Sequence, residues 1–340
     1  MAVSPGARPT IRDVATVAGV SMKTVSRVLN EEPRVAALTA EKVRRAATQL
    51  GFERNEAAAH LRRLDRSTRL IGLVTEDLGN PFYLSLAAAV EAVARQHGYL
   101  LMVACSDEDA DTERDVLSAL RHRRVDGLIV VPTGTDHSFL LPEIEAGTAV
   151  VFVDRPALHG QVDCVVAANA EGTAEGVRHL LAHGHRRIGY LGDEQAISTA
   201  RERYRGYREA MQAAGLPVDE SLVCLGLHDS ATAEGACRAL LAGPATRCAT
   251  AIFAGNNRLT IGAVRAIAAQ QRPVALVGFD DFELADLLQP AVTVVAQDVG
   301  ALGRTAAELL LRRLAGERGP GALVTLGASL IVRGSGEIPP

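Results

Sequence analysis

Two sets of residues in this 340-residue chain have the types and the spacing to do chemistry. The first lies in TIRDVATVAGVSMKTVSRVLN, from Thr10 to Asn30. Helical spacing puts Met22, Lys23, Ser26, Arg27 and Asn30 along one outward face, which gives long hydrogen-bonding side chains an exposed stripe at a helix start. Such side chains can donate to base edges and phosphates, and the plain alternative is a solvated helix face. The second set sits just after apolar runs: Asn80, Phe82 and Tyr83 in LVTEDLGNPFY, Asp154 in VVFVDR, Arg203 in YLGDEQAISTARERYRG and Asp280 in LVGFDD. Carboxylates accept from hydroxyls and a guanidinium donates to ring or hydroxyl oxygens, a combination suited to a sugar or polyol. Taken singly, each of these residues is as readily a helix cap or an ion-pair partner.

Placing the first set takes small helices. Thr10, with Asp13 three positions on, caps a helix whose apolar stripe is Val14, Ala15, Val17 and Ala18 and which stops at Gly19. Ser21 caps the next helix at once, with Val25, Val28 and Leu29 turned inward. A third helix is expected over 39–50, capped by Thr39, with Val43, Ala46, Ala47 and Leu50 inward and Lys42, Arg44 and Arg45 free to meet phosphates.

Placing the second set takes parallel sheets. From Arg69 on, β-branched runs such as LIGLVT, GLIVV, AVVFVD, ATAIFA and VALVGFD alternate with amphipathic helices, the pattern of sheets covered on both faces. There are too many strands for one compact sheet, so two doubly wound halves are expected, dividing within 163–176. In open α/β sheets ligands bind beyond the carboxyl ends of the strands, where the second set lies.

Composition agrees with several folded units: 48% of residues are hydrophobic and the net charge is -4. Residues 1–66 hold 12 Lys/Arg against 7 Asp/Glu, leaving 24 against 33 in the remainder, a basic head on an acidic body. The five cysteines, 105, 164, 224, 237 and 248, are scattered without a C-x-x-C pair and read as thiols in a reducing cytoplasm. No signal core opens the chain and no apolar run approaches a membrane span, so a cytoplasmic, membrane-free protein is expected.

With these residues in view, TIRDVATVAGVSMKTVSRVLN followed by GFERNEAAAHLRR resembles the DNA-binding head and hinge of the lactose-repressor (LacI/GalR) family. The resemblance implies a small all-α helix-turn-helix head (1–53), a hinge helix and linker (54–67) and an α/β body (68–340). That body would hold two doubly wound parallel-sheet subdomains of the type I periplasmic-binding-protein kind, 68–165 with 294–320 and 166–293 with 321–340. It assigns base reading to Met22, Lys23 and Arg27, backbone contacts to Ser21, Thr24, Ser26 and Asn30, and a minor-groove wedge to Leu61. In the body it lines an effector cleft with Asn80, Phe82, Tyr83, Asp154, Arg203 and Asp280, adding Asn256 and Gln297. The implied function is a ligand-responsive transcription factor, most simply a repressor, bound as a homodimer to palindromic operator DNA and controlled by a sugar-like effector, with no cofactor. The terminal LIVRGSGEIPP carries no heptad tail, which favours dimers over tetramers.

The chain departs from the family pattern in three places. Ala36 stands where a serine or acid is usual, Glu31 and Glu32 put acids beside the reading helix, and GNNRL replaces an Asn-Asp pair, so that Asn257 lacks a capping charge. With no tryptophan, Phe82, Tyr83 and Phe279 are left to stack on a ligand, and a nucleoside or small acid stays open as an alternative. An enzyme is the rival class, but no G-x-G-x-x-G opening the first β-α unit, G-x-x-x-x-G-K-[ST], H-E-x-x-H or G-x-S-x-G supports it. His183 and His185 in AHGHRRIGYLG flank a helix-stopping glycine and are not read as metal ligands.

Overall fold

The computed structural model describes residues 9–29, 35–52, 67–134, 136–158, 160–244, 247–270 and 272–340. It divides into two units, Met1–Thr68 and Arg69–Pro340.

In the first unit, the Thr10 backbone N–H and hydroxyl both donate to the Asp13 carboxylate, at 2.8 and 2.6 Å, which starts helix α1 (Ile11–Ala18). Gly19 ends α1 in a left-handed conformation, φ 67°, that a side chain would resist. Ser21 Oγ accepts from the Thr24 N–H at 3.1 Å at the start of α2 (Met22–Leu29), and α3 (Ala37–Leu50) closes the unit. Val14, Val25, Val28, Val43 and Ala46 form their shared core. Two expectations are corrected. Val17 is 49% exposed and lies off the apolar stripe. The third helix starts at Ala37 after Ala36, whose side chain offers no acceptor, and Thr39 sits within the first turn, donating its N–H to the Ala36 carbonyl at 2.9 Å. The backbone closes that turn unaided.

In the second unit the chain runs β1 (Leu70–Thr75), α4 (Pro81–Gln96), β2 (Leu100–Cys105), α5 (Ala110–His122), β3 (Gly127–Val130), α6 (Leu141–Glu145), β4 (Ala149–Val153) and β5 (Asp163–Ala167). It continues through α7 (Asn169–Ala182), β6 (Ile188–Leu191), α8 (Ser198–Ala213), β7 (Val223–Cys224), α9 (Ser230–Leu241), β8 (Ala251–Ala254), α10 (Asn257–Ala268) and β9 (Ala275–Phe279). The last elements are β10 (Thr293–Gln297), α11 (Val299–Leu314), β11 (Leu323–Leu326) and β12 (Ala328–Ile331).

The strands form two six-stranded sheets, β11-β5-β4-β3-β1-β2 and β12-β10-β9-β8-β6-β7, parallel throughout except for β12 against β10. Both sheets are covered on two faces. In the first, Ile71, Leu73 and Val151 pack with Leu86 of α4 and Leu302 of α11, while Val74, Leu128 and Phe152 pack with Leu117 of α5. In the second, Ile252 and Val294 face α9 and α10, and Tyr190, Phe253 and Val295 face α7 and α8. Alternate residues of one strand thus serve opposite cores, which is why the strands read as unbroken apolar runs.

The expected return to the first half at residue 294 falls inside β10, which pairs with β9 and β12 in the second sheet. The strand β11, expected in the second half, pairs with β5 in the first. The crossings therefore lie after β5, at Asp298 and at Gly327, where edge strands of the two sheets are joined by one residue. Asp298 marks its crossing chemically: its carboxylate accepts from the Ala301 N–H at 2.7 Å and caps α11.

Candidate functional site

On the head, Met22, Lys23 and Arg27 of α2 are exposed and Thr24 and Ser26 half-buried, on the side opposite Val25 and Val28. Ser21 and Thr24 hydroxyls lie 2.9 Å apart at the helix start, so part of their hydrogen-bonding capacity goes to the cap. Lys42, Arg44 and Arg45 of α3 are exposed as well. The arrangement offers donors for base edges on one helix and cations for phosphates on another. Asn30 and Leu61, with Glu31 and Glu32, lie outside the described residues.

In the body, a cleft is lined from both halves at the carboxyl ends of the strands. The strand order places it there: β1 runs between β2 and β3, and β6 between β7 and β8, so the loops leaving β1 and β6 part at the switch point of each sheet. Of the residues expected, Asn80, Phe82, Tyr83, Asp154, Arg203, Asn256 and Asp280 line the cleft. Gln297 stands behind it, donating from Nε2 to Asp280 Oδ1 at 2.6 Å.

Two aspartates hold equivalent places in the two halves. Asp154 follows β4 and Asp280 follows β9, both left-handed with φ of 70° and 66°, and each donates its N–H to the next strand, to Val165 O at 2.8 Å and Val295 O at 2.9 Å. A left-handed non-glycine residue is held against a local conformational cost, and here the strand hydrogen bond fixes the carboxylate beside the cleft. Asp280 is paired: Arg203 Nη1 reaches its Oδ2 at 3.2 Å. Arg203 also donates from Nε to Asn169 Oδ1 at 2.7 Å and from Nη1 to Gly255 O at 2.8 Å, and its guanidinium lies 3.9 Å from the centroid of the Phe279 ring. A side chain at Gly206, one turn on, would collide with the Ala170 carbonyl, so glycine lets α8 press against α7 and brings Arg203 to Asn169.

Sequence reasoning missed the other arginines and the acids around them. Arg155, 5% exposed, donates from Nη1 to both oxygens of Glu108 at 2.6 and 2.7 Å and from Nη2 to Glu76 Oε2 at 2.6 Å. The Tyr83 hydroxyl donates to the same Glu76 oxygen at 2.8 Å. Burial pushes Glu108 up to about 7 despite Arg155, whereas in Glu76 the pull of Arg155 and Tyr83 outweighs burial and holds the carboxyl below its usual range. Burial also lifts Asp154 to about 6, with Arg155 and Arg203 countering only in part.

Among the described residues, three contacts cross the cleft. Asn257 Nδ2 donates to Asn80 Oδ1 at 2.9 Å, Arg258 pairs with Asp77, and His228 Nε2 lies 3.8 Å from Glu76 Oε1 while its Nδ1 lies 3.2 Å from Asp193 Oδ1. Burial opposes a charge on His228, but the hydrogen bond and charge of Asp193, with Glu76, raise its pKa above the usual value. Asn256, not Asn257, caps α10 through the Leu259 N–H, which leaves the Asn257 amide for the crossing. No sequence pattern marks these residues beyond their position after β1, β6, β7 and β8.

His183 and His185 face different partners, the His179 carbonyl for one and Thr250 with the Ile338 carbonyl for the other. Among the described residues no helix is long and apolar enough to cross a membrane.

Comparison with known proteins places this geometry. Residues 10–55 match the family described as bacterial regulatory proteins, lacI family, and residues 68–325 match periplasmic binding proteins and sugar binding domain of LacI family. The chain is 32% identical over 337 residues to the HTH-type transcriptional regulator DegA of Bacillus subtilis, covering 96% of this chain and 98% of that one. It is similar in structure to a CelR–cellobiose complex, with TM-score 0.71, 32% identity and coverage of 96% and 100%. It is also similar to the Lac repressor dimer bound to operator and the anti-inducer ONPF, with TM-score 0.84, 27% identity and coverage of 97% and 99%. The chain belongs to the LacI family of bacterial regulatory proteins, as a DNA-binding transcriptional regulator with a helix-turn-helix head on a periplasmic-binding-protein-like body.

Proposed function

We propose that this regulator is a dimeric repressor whose grip on a palindromic operator is set by a sugar-class effector held between the two halves of the body. The observation that carries the reading is the cleft itself, where Asp154 and Asp280, on equivalent strands, stand with Arg203 as acceptors and donor for a polyhydroxyl ligand. Relatives of the same layout support it, one of them solved with cellobiose and one as a dimer on operator DNA. The side chains of the cleft act as binding groups and not as catalysts in this reading, and the site residues on the head read DNA through Met22, Lys23 and Arg27. Such a protein works in the cytoplasm, where its DNA is. A ligand changes operator affinity only as far as it prefers one arrangement of the halves over the other, so the effector acts by favouring the closed cleft.

Selection from randomised duplexes by the purified full-length protein, at two salt concentrations, tests the DNA side. A recovered palindrome is the expected result, and salt-sensitive binding without consensus would refute the operator reading. A panel of sugars added to the recovered duplex then tests the effector side. Operator affinity unmoved by every sugar would sink that half of the proposal.

A further inference from the structure

The charge on the cleft walls narrows the ligand further, on the reading of this cleft as the effector site. We propose that the effector carries no negative charge: it is a neutral or amine-bearing polyhydroxyl compound, and phosphorylated sugars and sugar acids are excluded.

Among the described residues, every guanidinium lining the cleft is already matched to a carboxylate. Arg155 lies between Glu76 and Glu108, Arg203 faces Asp280, and Arg258 is paired with Asp77. Arg155 has no spare reach, since its Nη1 and Nη2 are both engaged and its side chain is 6% exposed. Asp154 and Asp193 then stand in excess, so six carboxylates surround three guanidiniums and the one imidazole of His228. At neutral pH the surplus is negative even with His228 and Glu108, whose carboxyl burial lifts to about 7, both protonated, since five carboxylates then face four cations. Nor can a mobile ammonium be recruited, because the body from residue 68 on contains no lysine. Phosphate recognition rests on unspent cations, guanidinium forks or an ammonium, and the walls of this cleft hold neither.

Asp154 is the second, independent observation. It is 5% exposed, it lines the cleft, and its nearest cation, Arg155 Nε, lies 3.6 Å away, beyond hydrogen-bond distance. Among the described residues no donor is hydrogen-bonded to its carboxylate. A buried carboxylate is left this way only at a cost, and a ligand hydroxyl or ammonium donating to it removes that cost. A second anion brought to the same wall adds to it. Arg203 spends Nε and Nη1 inside the protein, and its remaining Nη2 is left to donate to a ligand ring or hydroxyl oxygen.

Equilibrium dialysis of the full-length protein against one equimolar mixture tests this. The mixture holds glucose, galactose, xylose and cellobiose, glucosamine and galactosamine, and the 6-phosphates and uronic acids of glucose and galactose, with retention read by mass spectrometry. The expected result is retention from the neutral or amine-bearing compounds alone, favoured at least about 100-fold over the anionic compound of the same skeleton. Asp154→Asn, checked for an unchanged unfolding profile, should lower that retention at least about tenfold. Retention of a phosphate or an acid overturns the inference, and so does full retention by Asp154→Asn. Retention of nothing by a protein that still selects its operator overturns the sugar-effector reading itself.

Discussion

Asn257 reaches from one half of the body to Asn80 in the other, its Nδ2 donating to Oδ1 at 2.9 Å. Each stands at the start of a helix leaving the cleft: Asn80 caps α4 through the Phe82 N–H, and Asn257 opens α10 beside Arg258, which pairs with Asp77. These contacts exist only while the halves are together. A neutral hydrogen bond of this kind contributes about 0.5–1.5 kcal/mol, or roughly 2- to 10-fold in the closed-to-open ratio. Asn257→Ala should therefore weaken effector binding by that factor. It should also move the operator affinity of the effector-free protein opposite to the direction in which effector moves it. Paired titrations with effector and with operator read both, and an operator affinity that Asn257→Ala moves in the same direction as effector does would show that Asn257 does not act through closure.

Arg203 serves the fold of the second half as well as lining the cleft. It holds Asp280, Asn169 and the Gly255 carbonyl in place, and Asp280 has Gln297 as its other donor. Removing one partner of a buried ion pair costs about 3–5 kcal/mol because the other charge stays buried. Arg203→Ala should lower the unfolding transition of the body and abolish the effector response, while the head keeps its operator sequence preference. Calorimetry beside a mobility-shift assay separates the two effects, and an unchanged unfolding transition would contradict the burial argument.

How much of this was legible beforehand follows from which interactions are local. Asp154 and Asp280 announce themselves because a polar residue directly after an apolar strand has one place to go, the carboxyl edge of the sheet. Arg155 follows Asp154 by one position yet carries no such mark, since its partners, Glu76 and Glu108, come from loops 79 and 47 residues away in the chain. The same limit hid the sheet exchange of β10 and β11: TVVAQ and LVTL are equally good strands in either half, and only long-range pairing with β9 and β5 decides. Thr39 misled for the opposite reason, a good capping residue passed over by a helix that starts two positions earlier.

The His228 contact across the cleft should tighten on acidification. His228, held between Asp193 on its own half and Glu76 on the other, has a folded pKa raised above that of a free imidazole, so its stabilising charge is fully present below about 6.5 and is lost as pH rises through the raised value. Asp77 and Asp229 favour the same charge and Arg258 opposes it. The His228 contribution to effector affinity should be larger at pH 6 than at pH 8, opposed by protonation of Asp154, near 6, so the ratio of wild-type to His228→Gln affinity should rise on acidification. A slope unchanged in His228→Gln would assign the dependence to that carboxyl instead.

The dimer is expected to use apolar side chains that the single chain leaves in water. Leu84 on α4 is 51% exposed and Leu100 on the edge strand β2 is 66% exposed, and in the second half Leu284 and Leu287 are 58% and 70% exposed. Exposed apolar groups in both halves mark surface that association covers. Leu84→Glu with Leu287→Glu should bring the mass by light scattering down to the 35.9 kDa of one chain and cost operator affinity, because one head reads a half-site only. A dimer that survives both charges would place the interface elsewhere.

The head offers a contrast between reading and holding. Arg27, exposed on α2, can take a bidentate hydrogen bond to guanine, so Arg27→Ala should cost about 1–3 kcal/mol on the preferred operator and much less on a scrambled duplex. Lys42, exposed on α3, offers a cation to phosphate, and if it makes that contact Lys42→Ala should weaken both duplexes alike and lower the slope of log affinity against log salt by about 1 per head. Neither side chain belongs to the Val14, Val25, Val28 and Val43 core, so both variants should keep the helical signal of the head. Titrations of both duplexes at several salt concentrations give the two slopes and the two specificity ratios together. An Arg27→Ala protein that loses affinity equally on both duplexes would make Arg27 a phosphate contact, and base reading would then fall to Met22 and Lys23.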